Sequence, residues 1–199
     1  MKSEIKTALI LGIVIVIGLG ITSIALSTLD QESKTITIQE ADSKTKIDKS
    51  GFKIAPDLAG ITYYLNTTPE ELKEQIKDKV VLYDIWTYSC INCVRTLPYI
   101  TAWDDKYEEE GLLIIGIHSP EFEFEKDPDN VKMAIDKHGI DYPVVMDNEM
   151  ETWKAFENRY WPRKYIADHE GYIRYDHIGE GRYQETETII QQLLEERAT

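Results

Sequence analysis

The chain has 199 residues, 36 of them acidic and 22 basic, for a net charge of −14, with 42% hydrophobic side chains. That length accommodates one core with appendages, and the acidity argues against nucleic acid or an anionic membrane surface as a partner. The whole sequence holds two cysteines, which leaves no second pair for an internal thiol relay.

Lys2 and Lys6 flank a run from Ala8 to Leu29 that contains no charge. It matches the roughly 20 residues that cross a bilayer as a helix. It also exceeds the ~7–15 apolar residues usual in a cleaved signal peptide. The expectation is therefore an uncleaved transmembrane anchor over 8–29, with Ala25-Leu26-Ser27 as the alternative cleavage site. Lys2 and Lys6 favour a short cytoplasmic N-terminus over 1–7. The protein then reads as single-pass in the cell membrane, with its C-terminal part extracytoplasmic. Residues 30–50 are dominated by Thr, Ser, Lys, Gln, Asp and Glu and read as a polar linker. The folded unit is expected over 51–199.

Within that unit, Ile61 to Leu65 reads as a strand. Thr68-Pro69-Glu70-Glu71 reads as a helix start, with Thr68 as cap, Pro69 at the first position and Glu71 closing a capping box. That helix should run to about Lys77. Val80 to Trp86 is a short apolar run rich in β-branched and aromatic residues, the pattern of a buried strand. It leads into Cys90-Ile91-Asn92-Cys93, and Val94 to Trp103 then reads as a helix. Leu112 to His118 is a second buried strand, and Pro128 to His138 a helix ended by Gly139. Pro143 to Met146 reads as a strand and Met150 to Glu157 as a short helix with Trp153 and Phe156 inward. Arg163 to Ala167 and Tyr172 to Ile178 form a hairpin around Asp168-His169-Glu170-Gly171. Tyr183 to Arg197 closes the chain as a helix. Strands interleaved with helices, then a hairpin and a last helix, imply an α/β sandwich with a mixed sheet.

The chemistry concentrates at Cys90 and Cys93, where a buried strand hands over to a helix N-terminus. Such a terminus carries about half a positive charge and several unpaired N–H donors. Both favour a thiolate, which is the reactive form of cysteine. Cys90, first in the pair, is the expected attacking sulfur. Cys93, about one turn further on the same face, is placed to resolve a mixed disulfide. The alternative is half of a zinc site, which needs four ligands. The chain offers no second cysteine pair, and His118, His138, His169 and His177 lack the spacing of a histidine pair on one helix.

These stretches carry a resemblance. From about Ala55 onward the chain resembles the thioredoxin superfamily. More narrowly, it resembles the TlpA/ResA branch and the thioredoxin-like domain of DipZ-type cytochrome c biogenesis proteins. The matching residues are Trp86-Thr87-Tyr88-Ser89-Cys90-Ile91-Asn92-Cys93, Arg95-Thr96-Leu97-Pro98, His118-Ser119-Pro120-Glu121-Phe122, Phe124-Glu125-Lys126-Asp127-Pro128 and Asn158-Arg159-Tyr160-Trp161-Pro162. The resemblance implies a thioredoxin-like sandwich and a membrane-tethered, extracytoplasmic thiol–disulfide oxidoreductase. It implies no cofactor beyond a redox-active Cys90–Cys93 disulfide, and no metal. Its partners would be protein dithiols and disulfides, apocytochrome c among them. DipZ proteins carry a multi-helix electron-transfer domain on the same chain; with one membrane segment here, electrons would come from a separate membrane donor.

The resemblance also assigns roles. Pro162 matches the family's cis-proline, which would bring the backbone of Trp161 against the cysteine pair. The Trp161 ring would then make the adjoining groove apolar. Asp84, six residues before Cys90, matches the family's buried carboxylate, a proton acceptor for Cys93. Trp86 matches the tryptophan that shields the site and is expected to line the substrate groove with Trp161 and Glu121, and Pro98 matches the proline that kinks the active-site helix. Ile91-Asn92 departs from thioredoxin's Gly-Pro, so thioredoxin's potential does not transfer. Glu121, Glu123 and Glu125 alternate with Phe122 and Phe124. Glu121 is a candidate for partner choice, against the plainer reading of a loop with its aromatics packed down. His118 reads as structural. Two other classes stay open. Sco-like copper delivery proteins use C-x-x-x-C, one residue longer than the spacing here. Peroxiredoxins share the T-x-x-C that Thr87 to Cys90 satisfies, but Tyr83 stands where they have proline.

Overall fold

The computed structural model describes residues 47–199. The expected N-terminus over 1–7, the anchor over 8–29 and most of the linker lie outside the described residues. Among the described residues no helix is long and apolar enough to cross a membrane.

Six strands form one mixed sheet: β1 (Tyr63–Leu65), β2 (Val80–Trp86), β3 (Leu112–His118), β4 (Val144–Met146), β5 (Arg163–Ala167) and β6 (Ile173–Ile178), in the order β1-β4-β3-β2-β5-β6. The central β4, β3 and β2 run parallel, while β1, β5 and β6 pair antiparallel at the edges. β2 and β3 are buried at every position. Helices cover both of their faces, which is why each reads as an unbroken apolar run rather than an alternation.

Five helices flank the sheet: α1 (Pro69–Gln75), α2 (Ile91–Tyr107), α3 (Pro128–His138), α4 (Glu151–Ala155) and α5 (Tyr183–Ala198). α2, α3 and α5 pack on one face against Val80, Leu82, Trp86, Leu112, Ile114 and Ile166. Leu72 of α1 and Phe156, just past α4, pack on the other against Val81, Tyr83, Ile85, Ile115 and Ile117. This alternation along β2 assigns Asp84 to the face that carries α2.

The local signals hold where the chemistry was explicit. Thr68 Oγ1 accepts the Glu71 amide at 3.2 Å, and the Glu71 carboxylate accepts the Thr68 amide at 3.0 Å, closing the capping box. Gly139 ends α3 in the left-handed region at φ 61°. Several boundaries differ from the sequence reading, those of β1 and α1 by two residues and those of α2 and α4 among them. α2 starts three residues earlier than Val94 and runs four past Trp103, because Cys90 itself is its N-cap. α4 is shorter than expected: Met150 and Glu157 both take positive φ, and the buried Asp147 carboxylate caps the helix through the Thr152 and Trp153 amides at 3.1 and 2.7 Å.

A charge cluster lies at the start of the described chain. Lys49, inside the stretch that reads as linker, pairs with Asp168, Glu170 and Glu196. Arg174 joins the same Asp168 and Glu196. Asp168 is wholly buried there, so the chain at Lys49 is already fastened to the β5–β6 turn and to α5.

Candidate active site

The strand-to-helix junction builds the site. β2 ends at Trp86, Thr87 to Ser89 turn the chain, and Cys90 caps α2. Cys90 Sγ accepts the Cys93 amide at 3.3 Å, taking one of the donors that a helix N-terminus leaves free. The two cysteines are free thiols, Cys90 half-buried and Cys93 1% exposed. Burial pushes the Cys93 thiol far up. Its hydrogen bond with Cys90 and the nearby Asp84 charge act in the same direction.

Asp84 lies on the same face of β2, 1% exposed, with one carboxylate oxygen lacking any partner. Burial raises its pKa to about 6, and the Lys164 cation opposes the rise. Lys164 is the cross-strand neighbour of Asp84 on β5 and is itself fully buried. Tyr142 is buried on this face as well, its hydroxyl unpartnered and its pKa driven well up by burial and by the Asp84 and Asp104 charges.

The Trp161–Pro162 peptide bond is cis, as the motif leads one to expect. Trp161 is half-buried, and its indole N–H donates to the Ser119 carbonyl at 2.9 Å, joining the loop before β5 to the end of β3. Its ring lies 4.2 Å from that of Trp153. Trp161 and Cys90 both pack against the core cluster that holds Cys93.

Trp86 needs a correction. It reads from sequence as part of the substrate groove, but it is 0% exposed and offers a partner no surface. It belongs to the core cluster that holds Cys93 and lies edge-on to His118 at 5.4 Å. Glu121 is exposed. The buried carboxylate of that segment is Glu125, 0% exposed, in a short 3-10 turn over Glu123–Lys126. Glu125 accepts Ser89 Oγ at 2.5 Å and the Glu121 and Phe122 amides at 2.6 and 2.9 Å. These bonds outweigh burial and lower its pKa. The reading of packed-down aromatics also fails: Phe122 and Phe124 are 49% and 55% exposed. The turn points its carboxylate inward and its rings outward, the reverse of what hydrophobicity alone dictates.

His118 is structural in its surroundings. It is fully buried; its Nε2 accepts the Tyr88 amide at 3.4 Å and lies 3.3 Å from Thr87 Oγ1. Burial lowers its pKa to about 4. Among the described residues no three His, Cys, Asp or Glu side chains cluster to hold a metal ion.

Glu125, Lys164, Tyr142 and Trp153 were not singled out in the sequence as functional. For Lys164 a signal existed. With Tyr165 inward on one face, period two sends Lys164 and Ile166 to the other, the face of Asp84.

Comparison with known proteins agrees with this geometry. The redoxin family model matches residues 49–194. DipZ of Mycobacterium tuberculosis is 45% identical over 157 residues, 77% of this chain and 22% of that protein's length. This chain therefore spans about a fifth of DipZ. The thiol-disulfide oxidoreductase YkuV of Bacillus subtilis is 31% identical over 143 residues, 71% of this chain and 94% of YkuV. The solution structure of a thioredoxin-like protein in the oxidized form superposes with a TM-score of 0.64 at 29% identity, covering 75% of this chain and 99% of that one. With a matching family model, a nearly full-length relative and the shared architecture, the chain belongs to the redoxin family and has the thioredoxin-like fold.

Proposed function

We propose that the protein is a thiol–disulfide oxidoreductase that exchanges disulfides with protein partners through Cys90 and Cys93. One observation carries the reading. A half-buried sulfur caps α2, a buried thiol lies one turn on, and a buried carboxylate of raised pKa shares their side of the sheet.

In the reducing direction, the Cys90 thiolate attacks one sulfur of a client disulfide. A Cys90–client S–S bond forms, and the other client sulfur leaves as a thiolate. Cys93 then loses its proton to Asp84, and its sulfur attacks Cys90 Sγ. The mixed disulfide breaks, and the second client thiolate departs. Two electrons have passed from the dithiol to the client, leaving a Cys90–Cys93 disulfide. The reverse sequence oxidises. The Trp161–Pro162 edge, with its indole tied to Ser119, is the wall along which the client chain would lie.

The finer reading keeps the sequence expectations together: a single-pass anchor over 8–29, an extracytoplasmic C-terminal domain, a separate membrane electron donor, and cytochrome c maturation or related thiol homeostasis as the setting. The similarity to DipZ and YkuV supports the chemistry. The uncharged run after Lys6 supports the anchor.

The test is a pair of variants. Cys90→Ser abolishes exchange with a peptide disulfide, while Cys93→Ser accumulates a mixed disulfide visible by mass spectrometry. An active Cys90→Ser protein removes the assignment. The reduction potential then gives the direction: about −270 mV indicates a reductase, and about −120 mV a disulfide donor.

A further inference from the structure

We infer that Phe122 and Phe124 form a docking ledge beside Cys90 for a client segment that carries an aliphatic or aromatic side chain next to basic ones. The inference rests on the redox reading above and adds the class of client.

The ledge is exposed and built. The two rings stack at 5.4 Å with 7° between their planes, and each keeps about half its surface in water. Exposed rings side by side are apolar surface that a partner can cover. Their backbone is fixed from beneath. The buried Glu125 carboxylate takes the Phe122 amide, the Phe124 carbonyl accepts Tyr88 Oη at 3.2 Å, and Asn130 Nδ2 donates to that carbonyl at 3.0 Å. A surface held in its final shape loses little freedom on binding.

The ledge is also attached to the cysteine loop. Ser89, immediately before Cys90, donates to Glu125, and the Tyr88 ring lies 6.3 Å from that of Phe124. Ile91, immediately after Cys90, is 60% exposed. On the opposite side a groove runs from Phe122 to Trp153, whose ring meets Trp161 next to the cis proline. Charged side chains line the groove as well, Glu121, Glu123, Lys126, Glu149 and Lys154, so a chain that follows it from the Trp161–Pro162 edge crosses a mixed surface before it reaches the two rings.

Charge selects the occupant. Of the carboxylates in residues 121–129, Glu125 is buried and Glu123 is paired with Lys126 at 2.9 Å, which leaves Glu121, Asp127 and Asp129 beside the rings, with Glu149 and Lys154 facing the groove in equal number. An acidic client meets repulsion here, and a basic one attraction that salt screens.

The test uses the reduced full chain and three probes. Two are synthetic nonapeptides with one cysteine held as a glutathione mixed disulfide, flanked in one by leucine and lysine and in the other by serine and glutamate. The third is 2-hydroxyethyl disulfide, which is too small to reach the ledge. The expected result is that the leucine–lysine peptide is reduced at least ten-fold faster than the serine–glutamate one, and that added salt narrows the gap. In Phe122→Ser/Phe124→Ser the ratio of its rate to that of hydroxyethyl disulfide falls about ten-fold. In Glu121→Lys/Glu123→Lys the peptide preference is lost. Equal rates for the two peptides, or an unchanged ratio in the serine variant, overturn the ledge. A cysteine-to-serine copy of the leucine–lysine peptide, followed by fluorescence anisotropy, separates the two readings. If hydroxyethyl disulfide is not reduced, the redox assignment fails, and anisotropy still shows whether the phenylalanines bind the peptide.

Discussion

Asp84 and Lys164 face each other across the antiparallel β2–β5 ladder, both buried, yet they form no ion pair among the described residues. Lys164 Nζ donates instead to the Gly179 carbonyl at 3.0 Å, and one Asp84 oxygen has no partner. Burial pushes both groups toward neutrality, raising Asp84 and lowering Lys164, while each one's charge restrains the other's shift. A carboxyl held near pH 6 in this way is matched to taking and returning a proton under mild conditions. The pair is thus a device for tuning a base, and it adds little as a stabilising contact.

The first prediction concerns that base. Asp84→Asn should slow attack of Cys93 on the mixed disulfide by roughly 10²-fold or more. Wild-type resolution should rise with pH through an inflection near 6, where Asp84 loses its proton, and the variant should lack that inflection. Lys164→Met removes the cation that restrains Asp84, so its inflection should move to higher pH. Single-turnover release of a client thiol, followed across pH, checks all three. An Asp84→Asn profile that overlays the wild type would remove Asp84 from the mechanism.

Stability should carry the same signature. Asp84 binds its proton more tightly when folded (about 6) than its ordinary value of 3.8 allows when unfolded. Its contribution is therefore fully present below about pH 4 and lost as pH rises through 6, a change of roughly 3 kcal/mol. His118 acts oppositely. With a folded value of about 4 against 6.5 unfolded, its contribution is present above pH 6.5 and lost on acidification toward 4, again by roughly 3 kcal/mol. The two slopes largely cancel in the wild type. Asp84→Asn should expose the His118 slope, so that the variant loses more stability than wild type between pH 6 and 4. His118→Asn should do the reverse. Urea denaturation at a series of pH values measures both differences.

Glu125 gives a prediction about the loop before the cysteines. Its carboxylate satisfies a hydroxyl and two amides at once, so Glu125→Leu strands three donors. Ser89, Glu121 and Phe122 are exposed residues whose donors water partly satisfies, so the expected cost is about 1 kcal/mol. Glu125→Gln keeps one acceptor oxygen and should cost less. Amide exchange at Glu121 and Phe122 should quicken most in the leucine variant. An effect spread evenly over the sheet would mean that Glu125 is an ordinary core residue.

Much of the fold is legible because its signals are local. Val80–Trp86 and Leu112–His118 have the bounds read from hydrophobic runs, since strands buried on both faces need no partner to be recognised. The Thr68–Glu71 box and Gly139 follow from hydrogen-bond chemistry within a few residues. The site is legible in part. Cys90, Cys93 and the cis bond before Pro162 lie in contiguous motifs. The pairing of Asp84 with Lys164 requires two strands 80 residues apart to meet in one register, which no window of sequence contains. The Glu125 turn departs from its sequence pattern for a different reason. Glu-Phe-Glu-Phe-Glu alternates like a strand with its aromatics inward, but Ser89 and two amides offer the carboxylate more than the core offers the rings.

Gly116 supplies the last prediction. It is the β3 neighbour of Asp84, and a Cβ there would lie 3.1 Å from Trp86 Nε1, 3.1 Å from Val144 Cγ2 and 3.2 Å from Tyr142 Cε2. These neighbours are buried, and two of them are rings held by packing on several sides, so they have little room to retreat. Alanine recovers about 0.5–1 kcal/mol that glycine forfeits in a strand, but overpacking of a filled core costs about 1–3 kcal/mol. The balance is destabilising for Gly116→Ala, and Gly116→Val adds a further clash. Displacing Trp86 and Tyr142 also disturbs the buried surroundings of Asp84. Resolution of the mixed disulfide should therefore slow together with the loss of stability, while the initial attack by Cys90 on a small disulfide keeps its rate. Urea denaturation and the two kinetic phases in one stopped-flow trace report the three quantities. A stabilised Gly116→Ala protein would show that Trp86 and Tyr142 are free to move, and that the carboxylate layer is looser than its burial implies.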